Sequence, residues 1–251
     1  MQSIYQTDIS NLQNVWLLVS DVDDTLLGDN SALSTFAQAF EIEKRRIIFI
    51  LNSSRPCASL HHSIQQNPLI PQPDYLIGAL GTEIEIARSG QLIKEYTATI
   101  KSEWDRDQVG SLMKELKLQA HAEEYQTPFK ASYRVDGKDH YQIVLQQLEQ
   151  HNLKVKVIFS GGTNLDIIPH LAGKGTAIRF LQATLGVRNN RVVTAGDSAN
   201  DLEMFEPPNL AIIVANAETA LRSLHGAHIY QARSEYAAGL LEGLRYWGVL
   251  P

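Results

Sequence analysis

The chain has little cysteine, no early basic residue and no long apolar run. Cys57 is the single cysteine, which excludes an intrachain disulfide and a cysteine-ligated zinc site. We expect Cys57 to be a small buried helix residue, because no Cys–His signature of a nucleophilic cysteine surrounds it. No Lys or Arg precedes Lys44, and the first apolar run covers only 15–19, so neither a signal peptide nor a membrane span is expected.

Charge and length narrow the functional classes further. The net charge of -6 over 251 residues disfavours a surface for nucleic acid, although a local site can still bind a small anion. An apolar content of 44% is typical of a globular chain with a sizeable core in one or two domains. We expect a cytoplasmic monomer without membrane contact, and a loose polar tail at 1–13.

Three carboxylates follow the first apolar run. The run 15–19 predicts a strand buried on both faces, as in a parallel sheet, and Asp21, Asp23 and Asp24 come after Ser20. The carboxyl ends of such strands face the ligand crevice. Because two close carboxylates repel each other, a hard divalent ion such as Mg²⁺ is their natural partner. The alternative is a strand that simply ends in an acidic turn.

Two further strand ends carry chemically useful residues. The apolar run 46–51 is followed by a polar loop at 52–56, whose hydroxyls suit a phosphate or cap a helix, and the two interpretations are compatible. Later, Lys174 stands between two glycines at a helix start, and Asp197 and Asp201 follow another buried run. Carboxylates for a metal, with a hydroxyl and a lysine for an oxyanion, predict a phosphoryl-transfer site.

The middle of the chain has a different pattern. Amphipathic helices alternate with half-polar strands, and the glycine pair at 161–162 predicts a hairpin. The fold class we expect is therefore α/β, with a Rossmann-like parallel-sheet core that has helices on both faces and an inserted α+β cap domain. We assign 1–94 and 170–251 to the core domain and 95–169 to the cap domain.

The ordered motifs resemble those of the haloacid dehalogenase superfamily. The segment 21–26 is similar to its first motif, Ser53 to its second, Lys174 to its third and the segment 196–201 to its fourth. The insert between the second and third motifs resembles the cap type called C2. One departure is Ser54, which stands where the superfamily usually has a glycine and narrows the room beside the substrate.

More narrowly, the chain resembles the sucrose-phosphate phosphatase family through segments at 81–83, 128–133, 157–162 and 166–175. The resemblance implies a magnesium-dependent phosphatase that hydrolyses sucrose 6-phosphate to sucrose and phosphate through an aspartyl-phosphate intermediate. Open alternatives are another substrate, such as mannosylglycerate phosphate or trehalose phosphate, and an inactive phosphatase-like partner of a sugar-phosphate synthase. Association of an active enzyme with a sucrose-phosphate synthase also stays open.

The resemblance also implies a role for each site residue. Asp21 is expected as the nucleophile and Asp23 as the general acid and base, while Ser53 and Lys174 complete the catalytic set. The other assignments are the Mg²⁺ ligands Asp21, Asp23 (through its backbone carbonyl) and Asp197; the supporting residues Asn200 and Asp201; and the substrate-binding residues Ser53, Ser54, Arg55, Gly81, Thr82, Glu83, Lys130 and Asp166. No histidine is assigned a role.

Overall fold

The computed structural model describes residues 14–251, so the expected tail at 1–13 lies outside the described residues. The strands are β1 (Trp16–Ser20), β2 (Ile47–Asn52), β3 (Tyr75–Gly78), β4 (Glu83–Ile86), β5 (Gln91–Leu92), β6 (Gln119–Ala120), β7 (Ala131–Arg134), β8 (Val155–Ser160), β9 (Asn164–Pro169), β10 (Val192–Gly196), β11 (Leu210–Ile213) and β12 (Ile229–Gln231). The α-helices are α1 (Asn30–Glu43), α2 (Cys57–Gln66), α3 (Lys94–Ile100), α4 (Arg106–Glu115), α5 (Gly137–Gln150), α6 (Lys174–Leu185), α7 (Thr219–Arg222) and α8 (Tyr236–Tyr246). Within 14–251, none of the helices is long and apolar enough to cross a lipid bilayer.

The larger sheet has the strand order β12-β11-β10-β1-β2-β3-β4-β5. Its strands from β12 to β3 are parallel, and β4 and β5 add an antiparallel edge. Strand β1 is central, and its alternate residues enter opposite apolar clusters, with Trp16 and Leu18 on one side and Leu17 and Val19 on the other. Helices α1 and α8 pack on the first side and α3 and α6 on the second. The expected α/β core with helices on both faces is confirmed.

The smaller sheet is antiparallel, with the order β6-β7-β9-β8. One face is apolar, because Tyr133 and Ile167 pack in a cluster with residues of α4 and α5. The alternate positions on β7 and β9, Ser132 and Asp166, are polar and lie on the opposite face, as the two-residue period of a strand requires. The predicted hairpin at 161–162 joins β8 to β9.

Helix α3 packs with the core rather than with the insert. Tyr96 and Ile100 belong to the apolar cluster on one face of the larger sheet, whereas the cluster of the smaller sheet begins with Trp104 and Val109. Sequence periodicity could not separate the two cases, because α3 is a short helix with charged residues, like the helices of the insert. The division at 94 and 95 stays a prediction, and this packing favours a boundary after Ile100.

Candidate active site

Lys174 lies between two carboxylates at the carboxyl ends of the central strands. Its Nζ donates to Asp21 Oδ1 at 2.5 Å and to Asp201 Oδ1 at 2.6 Å. Lys174 is 2% exposed and Asp201 is fully buried. Burial alone would lower the pKa of Lys174, but Asp201 and Asp21 raise it above its ordinary value, so the ammonium group stays charged.

Asp201 holds both the lysine and the loop after β10. Its second oxygen, Oδ2, accepts hydrogen bonds from the backbone N–H groups of Asp197 at 3.0 Å and Ser198 at 3.1 Å. A side chain at Gly196 could not fit, because its Cβ would lie 2.5 Å from Asp201 Oδ2. With each oxygen of Asp201 already bonded, this carboxylate is suited to fixing Lys174 and is poorly placed to bind anything else.

Carboxylates of three aspartates are crowded at this point. Ligand oxygens of Asp21, Asp197 and Asp201 lie within 4.8 Å of one another. Burial raises the pKa of Asp197 to about 7, and the charge of Asp201 adds to the shift. Burial likewise raises the pKa of Asp21 well above its usual range, although Lys174 opposes the shift. One lysine therefore does not neutralise the cluster.

The donor set of this cluster fits a hard divalent cation. Thr25 Oγ1 donates to Asp197 Oδ1 at 2.8 Å, and Lys174 occupies Oδ1 of Asp21. Oδ2 of Asp21 and Oδ2 of Asp197 take part in neither of these two hydrogen bonds, so both oxygens could bind a metal ion. Carboxylate oxygens are the ligands that Mg²⁺ prefers, and a divalent ion would offset the burial and the mutual repulsion that raise both pKa values.

Asp23 lies beside the loop that follows β2. Its side chain is 54% exposed, and Arg55 Nε lies 2.8 Å from its Oδ2. Arg55 is itself held by two hydrogen bonds, since its Nη1 donates to Ser63 Oγ on α2 at 2.9 Å and its backbone N–H donates to Ser53 Oγ at 3.1 Å. The structure thus brings Ser53 and Arg55 to the same sheet edge as Asp23. The expected ligation by the Asp23 carbonyl stays a prediction.

Lys130 connects the insert to the core loop. It is 3% exposed, and its Nζ donates to the carbonyl of Ser54 at 2.9 Å and lies 3.3 Å from Asp166 Oδ1. A cavity of about 290 Å³ lies here, lined by Ser54 and Arg55 of the core and by residues of the insert that include Lys130, Ser132 and Asp166. Its volume is close to the lower end for small-molecule sites, ~300–1,000 Å³.

Gly81, Thr82 and Glu83 do not line that cavity. A Cβ at Gly81 would lie 2.3 Å from the backbone of Gly173, and Thr82 Oγ1 donates to a backbone carbonyl of its own turn at 3.0 Å. Glu83 Oε2 accepts from the backbone N–H of Cys57 at 2.9 Å, at the start of α2. These contacts are internal to the core, so a direct contact of the three residues with substrate stays a prediction. Cys57 is buried, as expected.

His121 and Tyr125 also line the cavity, and the sequence offered no signal for them. His121 Nε2 is buried without a hydrogen-bond partner among residues 14–251, and its ring meets that of Tyr125 edge-on at 6.2 Å. His121 reaches the cavity because its backbone N–H donates to the carbonyl of Ser132, which extends the pairing of β6 with β7. Asn200, a predicted supporting residue, has a buried Oδ1 without a partner in the same range.

Comparison with known proteins shows the family to which the chain belongs. A family model described as sucrose-6F-phosphate phosphohydrolase matches residues 14–248. The chain belongs to the sucrose-6F-phosphate phosphohydrolase family. Mannosylfructose-phosphate phosphatase of Agrobacterium fabrum is 30% identical, over 94% of this chain and 98% of that protein. Sucrose-phosphatase 2 of Nicotiana tabacum is 32% identical over 94% of this chain, which spans only 60% of the tobacco protein.

Solved structures agree with this family assignment. The sucrose-phosphatase of Synechocystis sp., solved with sucrose and phosphate, superposes with a TM-score of 0.85 at 27% identity, covering 94% of this chain and 98% of that one. A haloacid dehalogenase-like hydrolase of Bacillus subtilis gives a TM-score of 0.68 at 18% identity over 93% of both chains, which shows the shared fold. The protein is a phosphoric monoester hydrolase of the haloacid dehalogenase superfamily.

Proposed function

We propose that the protein hydrolyses sucrose 6-phosphate to sucrose and inorganic phosphate through an aspartyl-phosphate on Asp21. The observation that carries the proposal is the Asp21–Lys174–Asp201 arrangement, which holds one carboxylate at the sheet edge. Asp23 of the same loop contacts Arg55, which lines the cavity. An oxygen of Asp21 attacks the phosphorus and displaces the sugar oxygen. Lys174 stabilises the negative charge that is spread over the phosphoryl oxygens.

Proton transfer is assigned to Asp23. Its carboxyl gives a proton to the departing sugar oxygen and then takes one from the water that hydrolyses the aspartyl-phosphate. The contact with Arg55 at 2.8 Å supports this role, because it orients a side chain that is otherwise half-exposed. Asp21, Asp197 and the Asp23 carbonyl would hold Mg²⁺, which supplies further charge neutralisation at the phosphoryl group when bound.

The sugar would occupy the cavity between the core loop and the insert. Its lining is polar, with the Lys130 ammonium, the Asp166 carboxylate and the Ser132 hydroxyl among its groups, and such groups can pair with sugar hydroxyls. The family description and the Synechocystis structure support sucrose 6-phosphate. The protein is proposed to act as a cytoplasmic monomer, and association with a sucrose-phosphate synthase is a further, separate proposal.

Mannosylfructose phosphate is a second candidate substrate. The Agrobacterium fabrum relative named for it matches this chain over 98% of its own length, whereas the tobacco sucrose-phosphatase is covered over only 60%. Both substrates join a fructose unit to another hexose, so the two activities differ in the ring that occupies the cavity. An inactive partner of a synthase is disfavoured, because Asp21, Lys174 and Asp201 are present and already assembled.

The test is phosphate release by the purified protein, with Mg²⁺, from a panel of phosphomonoesters. The panel contains sucrose 6-phosphate, mannosylfructose phosphate, trehalose phosphate, mannosylglycerate phosphate and fructose 6-phosphate. The highest kcat/KM is expected for sucrose 6-phosphate. A higher value for mannosylfructose phosphate would make that compound the preferred substrate. No release from any compound above the rate of an Asp21→Asn control would support the inactive alternative.

A further inference from the structure

A lysine of the insert touches the segment that carries Lys174. Lys156 lies on β8, where it pairs with Ile168 of β9, and its Nζ donates to the carbonyl of Ala172 at 2.6 Å. The same ammonium group forms an ion pair with Glu203 Oε1 at 2.5 Å. Ala172 precedes Lys174 by two residues, so a side chain of the insert is bonded directly to the backbone that leads into α6.

Glu203 also contacts that backbone. It lies in a 3₁₀ helix, Ala199–Phe205, that also carries Asp201. A Cβ at Gly175 would lie 2.4 Å from the carbonyl oxygen of Glu203, so the first turn of α6 rests against this helix. Asp201 binds the Lys174 ammonium from the same helix. The 3₁₀ helix therefore contacts Lys174 at its side chain and the following residue at its backbone.

Gly173 is enclosed by the Lys156–Glu203 pair. It has φ +147, and a Cβ there would lie 2.2 Å from Glu203 Oε2 and 2.6 Å from Lys156 Nζ. The Oε2 atom is buried and has no hydrogen-bond partner among residues 14–251. Because glycine is conformationally permissive, Gly173 without neighbouring contacts would allow the start of α6 to shift. Here the Lys156–Glu203 ion pair lies against Gly173, one residue before Lys174.

We infer that Lys156 is a positioning residue for the phosphoryl-transfer step, acting on Lys174 through Ala172, Gly173 and Glu203. The inference rests on the proposed function in its assignment of Lys174. The insert then positions Lys174 in addition to contacting the sugar. Lys130 contacts the core loop and the cavity, whereas Lys156 contacts the backbone that orients the lysine below the phosphoryl group. Small displacements of such a group cost rate, since about 1 Å can cost 10²-fold.

Two substrates separate positioning from sugar recognition. A residue that orients Lys174 affects every phosphomonoester, including p-nitrophenyl phosphate, whereas a residue that reads the sugar affects only the sugar phosphate. Lys156→Gln is expected to lower kcat about tenfold for both substrates, with KM changed less than about twofold. Glu203→Gln should lower kcat by a similar factor. The double variant should have a kcat no lower than either single variant, because both substitutions remove the same ion pair.

Lys154→Gln is the matched control. Lys154 lies two residues earlier and pairs with Glu103 at the surface, and within residues 14–251 its Nζ forms no ion pair or side-chain hydrogen bond with 171–175. Its replacement removes the same charge from the same part of the insert and should leave kcat unchanged. Lys156→Arg keeps the charge and the donors, so it should restore kcat to within about twofold of the wild-type value.

Each alternative result overturns the inference. A loss restricted to the sugar phosphate would make Lys156 a recognition residue, and an unchanged kcat with a lower Tm would make the ion pair purely structural. The p-nitrophenyl phosphate arm requires only phosphatase activity. If the wild-type protein hydrolyses that ester but not sucrose 6-phosphate, the proposed substrate fails while the inference about Lys156 is still tested.

Discussion

The parallel-sheet core and the inserted sheet place their polar residues in different surroundings. In the core, Asp201 is fully buried and Lys174 is 2% exposed, and each contacts a charged partner. In the insert, strand β8 is partly exposed at every position, and the polar face around Asp166 borders a cavity. The charged groups of the core thus bind one another away from the cavity, whereas Lys130 and Asp166 of the insert pair with each other along the cavity wall.

This difference has an energetic basis. Breaking a buried ion pair by removing one partner costs about 3–5 kcal/mol, because the other charge stays buried and uncompensated. A neutral hydrogen bond in a partly exposed site contributes only about 0.5–1.5 kcal/mol. Changes in the core should therefore affect all substrates strongly, and changes in the insert should affect particular substrates by smaller factors. Lys156 is the proposed exception, since it contacts the backbone that leads to Lys174.

The largest effect is expected from Asp21→Asn. Loss of the nucleophile should lower kcat by about a thousandfold or more for sucrose 6-phosphate and for p-nitrophenyl phosphate alike. The fold should persist, because Asp201 still pairs with Lys174 and Asn has nearly the same shape as Asp. The two rates and the Tm are measured together. Near-normal turnover by the folded variant would contradict the assignment of the nucleophile.

Removal of Mg²⁺ should act almost as strongly and equally on both substrates. We expect chelation to leave less than about 1% of the rate, Mg²⁺ to restore it, and Ca²⁺ to inhibit because its looser coordination would misplace Asp21. Mg²⁺ should also raise the Tm of the wild-type protein, since a ligand that binds only the folded state stabilises it. Full activity in excess chelator would refute the metal requirement.

A binding measurement locates the metal without relying on activity. Asp197→Asn should abolish the Mg²⁺-dependent rise in Tm, and the metal-free variant should melt higher than the wild type because one repelled buried carboxylate is gone. Asp107→Asn on α4 is the control, since Asp107 is exposed and lies outside the acidic cluster. An unchanged response to Mg²⁺ in Asp197→Asn would remove Asp197 from the ligand set.

A selective effect is expected from Lys130→Ala. The change removes contacts with the Ser54 carbonyl and the Asp166 carboxylate. It should lower kcat/KM about a hundredfold for sucrose 6-phosphate and far less for p-nitrophenyl phosphate. Lys138→Ala, at an exposed position of α5, should change neither value. Equal losses on both substrates would mean that Lys130 does not read the sugar.

The smallest effect is expected from His121→Ala. The buried Nε2 without a protein partner suits a sugar hydroxyl, and one such hydrogen bond corresponds to roughly a 2–10-fold change in kcat/KM. The change should appear in KM for sucrose 6-phosphate and be absent for p-nitrophenyl phosphate. His62→Ala, on the exposed side of α2, is the control. No change in KM would leave His121 outside the sugar site.

The sequence predicted the core well because its signals are local. Strand β1 is an apolar run buried on both faces. A parallel sheet brings the ends of neighbouring strands to one edge, so the sequence alone predicts that Asp21 and Asp197 lie close together. Lys174 was expected at the start of a helix and begins α6. The hairpin at 161–162 followed from its glycine pair in the same way.

Tertiary structure alone decided where Glu83, His121 and Lys156 lie. Glu83 lies next to a turn in the sequence, yet its carboxylate contacts the start of α2, because the path of β3 and β4 brings it there. His121 reaches the cavity through pairing with the strand that contains Ser132, and Lys156 meets Glu203 across 46 intervening positions. Such contacts depend on strand register and on how two sheets pack. Strand register and sheet packing leave no periodic pattern in the sequence. A buried strand that ends in carboxylates, in contrast, is visible as an apolar run followed by acidic residues.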